Sequence, residues 1–207
     1  MSKELTVSTM TKMLDWGYEK AVNGVPGMDS AEELAESYMD ENKTLTENAN
    51  SLIRWQITKA GTSGFISGLG GIITLPVTLP ANITSVIYVQ IRMIAAIAHM
   101  AGHDLHNDKV KSLVYICLTG NAAKDILKGV GITVGTKITQ SAIKSISGKT
   151  ILAINQKVGF RLVTKFGEKG AVNLGKGVPL VGGIIGGAFD TVTTNTIGNV
   201  AKNTFIT

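Results

Sequence analysis

Cysteine is nearly absent from this sequence: a single one, Cys117, stands among 207 residues. One thiol cannot close an internal disulfide, which removes the disulfide-stapled secreted domains and points to a reducing cytoplasm. Charge is sparse too. Asp, Glu, Lys and Arg make up 17% of the chain, below the usual quarter, and mean hydropathy is positive. Some of the surface is therefore expected to face something other than water. The opening, MSKELTVSTMTKMLDW, has no basic segment followed by an apolar one, so no secretory signal is expected and any membrane contact is made from the cytoplasmic side. Period-two alternation long enough for a sheet is missing as well. The expected class is all-α.

Catalytic signatures are equally scarce. No G-x-x-x-x-G-K-[ST] occurs and no strand can be placed before either glycine cluster, so a phosphate cradle of that kind is not expected. His99 and His103 have the i, i+4 spacing of a zinc pair, with Asp104, His106 and Asp108 close behind. Gly102, however, ends the helix before the second histidine, and histidines near a helix C-terminus commonly serve as dipole partners. No metal or cofactor is expected. Cys117 lies in an apolar helical face and reads as an inert core thiol. No Ser/His/Asp order suggests itself, so the chain reads as a non-enzyme. Phe160 and Phe166 are the only aromatics in the basic block, too few for a nucleic-acid stacking platform.

The sequence is organised around residues 60–104. Between Lys59 and Arg92 there are 32 residues without a formal charge. Gly61, Gly64, Gly68 and Gly71 precede Pro76 and Pro80, and an apolar run from Val86 to Ala98 follows. A membrane-spanning helix needs about 20 apolar residues, but two prolines and the glycines interrupt this one. The segment predicts two helices, over 60–75 and 81–101, meeting at a proline corner. The section 177–205 has the same texture, with Pro179 and then Gly182, Gly183, Gly186 and Gly187. Steps of three and four put these glycines on one helix face, where backbones approach closely. That serves helix pairing in a bilayer or tight crossing in a soluble core, and both remain open here. The architecture expected is a compact multi-helix bundle with two Gly/Pro-rich apolar helical hairpins.

Charge is strongly segregated. Residues 1–50 carry four Lys/Arg against ten Asp/Glu, whereas residues 120–180 carry ten against two. The N-terminal third predicts helices over 3–22, 30–40 and 45–59, the second opened by a Ser30/Glu33 capping box. Trp16 and Trp55 suit either a core or a membrane-interface belt, with core preferred. Beyond the polar connector 103–108, a helix is expected over 109–127, then 136–147, a stop at 147–149, and a helix over 150–166. In the last, Ile151, Leu152, Val158, Leu162, Val163 and Phe166 form one face. Lys157, Arg161, Lys165 and Lys169 step by four along another. A basic amphipathic helix of this kind suits anionic lipid at a cytoplasmic leaflet; the alternative is a solvated helix face, with or without pairing to the acidic 29–47 segment.

Several motifs now fall in order. They are Trp16-Gly17-Tyr18, Gly24-Val25-Pro26-Gly27, Ser30 to Tyr38, and Trp55-Gln56. Then come Ser63 to Pro76, Tyr88 to Ala98, Gly102 to Asp104, Asn173 to Asp190, Ile197-Gly198 and Ala201-Lys202. Over nearly the whole chain they resemble the EcsC family of bacterial proteins. The resemblance implies a single α-helical domain over 1–207, with an acidic part at 1–58 and a Gly-rich core with basic helices at 59–207. It implies membrane association and, through the gene neighbourhood that named the family, a link to an ABC transporter and secretion. It carries no catalytic set over. Two functions are expected from it: a membrane-associated protein at the cytoplasmic face that inserts its hairpins, or a soluble adaptor binding a partner such as a transporter ATPase.

Overall fold

In the computed structural model the backbone is described for residues 5–60, 81–132, 140–175 and 182–206, and the side chains for 5–58, 83–132, 141–166 and 192–206. The described residues form nine α-helices and no named strand: α1 Val7–Asn23, α2 Ala31–Glu36, α3 Leu45–Ala60, α4 Ala81–Met100, α5 Asp108–Cys117, α6 Ala123–Lys128, α7 Gln140–Ser145, α8 Gly148–Gly175 and α9 Gly182–Phe205. A single 3-10 turn, Gly120–Ala122, precedes α6. The all-α bundle expected from the sequence is what forms.

The apolar run of the sequence becomes the central helix, α4. Among the described residues it is the one helix long and apolar enough to cross a bilayer, yet 83% of Ile83–Met100 is buried inside the protein. Helices α1, α2, α3, α5 and α9 all pack against it. Ile91, Met93, Ile94 and Ile97 are fully enclosed, each such side chain contributing about 1.5–3 kcal/mol by leaving water. The acidic N-terminal third supplies three of the covering helices, α1 to α3. So the long helix of the first expected hairpin is buried within the protein here; its proline corner, with Gly61, Gly64, Gly68, Gly71, Pro76 and Pro80, lies outside the described residues, as does Pro179.

Polar residues on α4 are tied to its neighbours. Arg92 is 4% exposed and donates through Nη1 to the Asp29 carbonyl at 3.0 Å, clasping the turn before α2. Burial lowers its pKa from the ordinary arginine value, and Tyr88, Asp29 and Tyr38 offset part of that effect. Gln90 donates to Thr194 on α9 at 3.3 Å. Further along the same face of α9, Lys202 donates to Asn50 Oδ1 at 2.7 Å and Gly198 faces Ile53, so α3 and α9 run antiparallel. That register brings the buried Gln56 level with Thr194. Helices α1 and α5 are joined by a tyrosine pair: Tyr18 donates to the Leu105 carbonyl at 2.7 Å, and Tyr115 to Asp15 at 2.9 Å. Lys111 closes the group on Asp15 at 2.7 Å.

Local signals set the helix ends. The Ser30/Glu33 capping box is present in both directions, at 2.7 and 3.1 Å, and Thr44 with Glu47 makes a second one before α3. Helix α2 stops at Glu36, short of the expected 40, because Tyr38 and Met39 bond back three residues rather than four. The single helix expected over 109–127 breaks after Cys117. Thr119 turns its hydroxyl onto the Ile116 carbonyl at 2.6 Å, and Gly120 takes φ +60°, a left-handed conformation that costs glycine little. Ser147, expected as a stop, is a cap for α8, accepting from Thr150 N at 3.1 Å. Two surface assignments also change. Trp55 is 46% exposed and Leu152 is 65% exposed, so neither joins the core.

Gly182, Gly183, Gly186 and Gly187 lie on the first turns of α9, whose neighbouring side chains are outside the described set. The close approaches that are described belong instead to lone glycines. A Cβ on Gly198 would lie 2.7 Å from Ile53 Cγ1, and one on Gly159 would lie 3.0 Å from Val7 Cγ1. Ile53 is 3% exposed and has nowhere to go. We expect G198A to destabilise the fold, since overpacking costs about 1–3 kcal/mol against a helix-propensity gain of about 1 kcal/mol. A urea double-mutant cycle with I53A checks this: with the crowding γ and δ carbons gone, G198A should cost less in the I53A background than in the wild type. The caps give a pH prediction. Bonds from Ser30 and Thr44 hold Glu33 and Glu47 below the ordinary glutamate pKa. Their contribution is therefore present above that ordinary value and lost as pH falls through the lowered ones. An E33Q/E47Q variant should lose less stability than the parent between pH 6 and 3 in urea melts (roughly the range around a carboxylate pKa).

Candidate lipid- and anion-facing surface

The break after Cys117 has a consequence for the surface. It sets residues 119–122 beside α8 and α9, and the three segments enclose a cleft of about 390 Å³. Arg161, Thr164 and Lys165 line it from α8, and Val192, Thr193, Thr196 and Ile197 from α9. Thr119, Gly120, Asn121 and Ala122 close the third side. Among the described residues that line it, none is acidic. Three of the hydroxyls have their protons committed to carbonyls: Thr119 to Ile116, Thr164 to Phe160 at 3.1 Å and Thr196 to Val192 at 2.9 Å. In that arrangement those oxygens face the cleft as acceptors.

Helix α8 carries the cleft on one edge of a broader outer face. At 100° per residue, Leu152, Gln156 and Phe160 form one row along it, and Lys149, Lys157 and Arg161 flank that row. Phe160 is 67% exposed and Val192, at the cleft mouth, 68%. The opposite face, with Ile154, Val158 and Leu162, is buried against α1, α5 and α6. Gly159 allows that close seating on α1. The predicted basic residues separate on this frame. Lys157 and Arg161 are exposed, Lys165 is half-buried and turns to the cleft, and Lys169 is on α8 with its side chain outside the described set. Lys157 places its ammonium within 3.0 Å of a Cβ built on Gly129, at the carbonyl end of α6, a favourable place for a cation. The Lys165 ammonium lies 5.5 Å from the centre of the Phe166 ring.

The acidic segment does not neutralise this face. Its ion pairs run from Asp40 to Lys43 at 2.8 Å and from Glu32 to His99 at 3.7 Å. Among the described residues no carboxylate comes within 4 Å of Lys157 or Arg161. The alternative of a basic stripe paired with residues 29–47 is thus set aside for these two.

The histidines diverge. His99 turns to Glu32, His103 packs on the Phe205 ring at 5.3 Å, and His106 uses its backbone N–H on Asp104. Burial lowers the His103 pKa, which favours the neutral ring. Among the described residues no three His, Cys, Asp or Glu side chains come together as a metal site. Cys117 is fully buried, its sulfur 3.7 Å from the Thr204 hydroxyl. Burial pushes its thiol up to about 12, so the thiolate a nucleophile needs is disfavoured.

Sequence reasoning missed the cleft because it needs the Thr119-Gly120 break, and Thr-Gly after an apolar run was the available signal for it. It misplaced Leu152 for another reason: apolar residues on neighbouring arcs of a helix read as one stripe. The motifs that matched the family in sequence fall on the packing sites described above: Tyr88 to Arg92 on α4, Gln56 on α3 and Gly198 on α9. No curated protein and no solved structure matches this chain. A model of the EcsC protein family does match, over residues 4–206, and on that near-complete match the chain belongs to the EcsC protein family.

Proposed function

We propose that this protein is a non-enzymatic, membrane-associated protein of the cytoplasmic face, and that it docks on anionic lipid through the outer face of α8. The carrying observation is the exposure of Phe160 and Leu152 beside the ridge of Lys149, Lys157 and Arg161. Exposed apolar residues are costly in water, and next to solvated cations they suit a charged interface. Each Lys or Arg near such a surface contributes about 1 kcal/mol, and burying an exposed Phe adds about 1.5–3 kcal/mol. Membrane contact is assigned to α8 rather than to α4, because α4 already has five helices against it. A role beside a transport or secretion machine fits this position, with the lipid surface bringing the protein to its partner.

The second reading is a soluble adaptor that binds a protein such as a transporter ATPase component. The burial of α4 favours it, since that packing completes a fold without a bilayer. Flotation separates the two readings. Wild-type protein should float with vesicles containing anionic lipid, not with neutral ones, and should be released by salt as the Debye length shrinks. An L152S/F160S variant and a K157E/R161E variant should each lose most of the flotation while keeping the wild-type thermal melt. Equal recovery on neutral and anionic vesicles with no salt effect, or unchanged flotation of both variants, overturns the α8 assignment.

A further inference from the structure

A second set of exposed apolar residues lies on the acidic side of the charge division. The loop between α2 and α3 carries Met39, 50% exposed, and Leu45 opens α3 at 37% exposed. The loop that presents them is fixed. Lys43 N–H donates to the Asp40 carbonyl at 3.0 Å, and the Asn48 amide on α3 donates to that same carbonyl at 3.2 Å. Thr44 and Glu47 cap the helix that follows. A surface held in one shape before contact loses little freedom on binding. The patch is also acidic. Residues 36–47 hold Glu36, Asp40, Glu41 and Glu47 against Lys43 alone, and Glu36, Glu41 and Glu47 are exposed.

The outer face of α8 complements this patch in sign and matches it in polarity. It presents Phe160 and Leu152 beside Lys149, Lys157 and Arg161, all exposed. Within one chain the two are not spent on each other: Asp40 pairs with Lys43 at 2.8 Å, and Lys157 lies at the end of α6. A second copy of the chain supplies the other half of each. We infer that the α2–α3 loop of one copy docks on the α8 face of another, with Met39 and Leu45 against Phe160 and Leu152 and the carboxylates against the cations. A thioether on an aromatic ring is a favourable contact, and opposite potentials steer the two faces together. Two different faces meet, so the contact is heterologous, and a pair keeps one free face of each kind for further copies. Competition with lipid for α8 rests on the membrane reading above; the contact between copies does not.

Analytical ultracentrifugation of the full chain tests this by reading mass against concentration and salt. At low salt the average mass should rise with concentration above the 21.8 kDa of one chain. In about 1 M salt, where the Debye length is about 3 Å, it should fall back toward that value. M39S/L45S and L152S/F160S should each stay monomeric alone, and E36K/E41K should repeat the loss without removing an apolar group. Mixed in equal amounts, M39S/L45S and L152S/F160S should form a one-to-one pair that grows no further, because each keeps the half that the other lacks. A wild-type mass that stays at one chain at every concentration in low salt overturns the inference and leaves lipid flotation untouched. Association retained by both M39S/L45S and E36K/E41K overturns it too, as does a mixture that fails to pair while each variant keeps the wild-type thermal melt. On anionic vesicles M39S/L45S should float at least as well as wild type, and loss of its flotation overturns the competition with lipid. No flotation by any form, with association intact, overturns the membrane reading and leaves the contact between copies standing.

Discussion

Everything in this structure depends on covering α4. A 20-residue helix this apolar has two stable environments, a bilayer or a protein interior, and here it has the second. Its neighbours are arranged to that end: α1 seats Gly17 against Ile91, α2 is held down by Arg92, and α9 is keyed to α4 through Gln90. The interior they make is not a dry hydrocarbon layer. Tyr88 Oη, Arg92 Nε and Gln56 Oε1 are buried without a protein partner among the described residues, and such groups cost free energy unless something satisfies them. A buried guanidinium in particular belongs to a helix that has a protein wall beside it.

Much of this was legible in the sequence because the signals were local or periodic. The central helix followed from an uncharged apolar run. The cap of α2 followed from Ser30 and Glu33, the end of α4 from Gly102, and the buried thiol from the helical phase of Cys117. What escaped was set by contacts distant in sequence. Whether the α4 run meets lipid or protein is decided by α1, α2 and α9, which no window over 81–100 contains. Trp55 and Leu152 are exposed although they recur in step with apolar neighbours, and composition alone does not assign helix arcs to partners. The close glycine contact at Gly198 is likewise invisible without Ile53 opposite it.

The surface account follows from the same geometry. Helix α8 buries one arc through Val158 and Leu162 and leaves the other to Leu152, Phe160 and the cations. The acidic helices, which sequence arithmetic allowed to neutralise those cations, are instead committed to the far task of covering α4. Segregated charge here serves two separate ends: an N-terminal third that completes the core, and a basic face left available.

The most direct measurement is fractionation of the untagged protein from its own cells, with a low-salt wash of the membrane pellet followed by alkaline carbonate. A protein that keeps α4 as its core and docks through α8 stays with the membranes in low salt and is released completely by carbonate. Retention through carbonate until detergent is added would show that apolar helix in the bilayer and contradict the account at its centre. Absence from the membrane pellet at low salt would contradict its surface half.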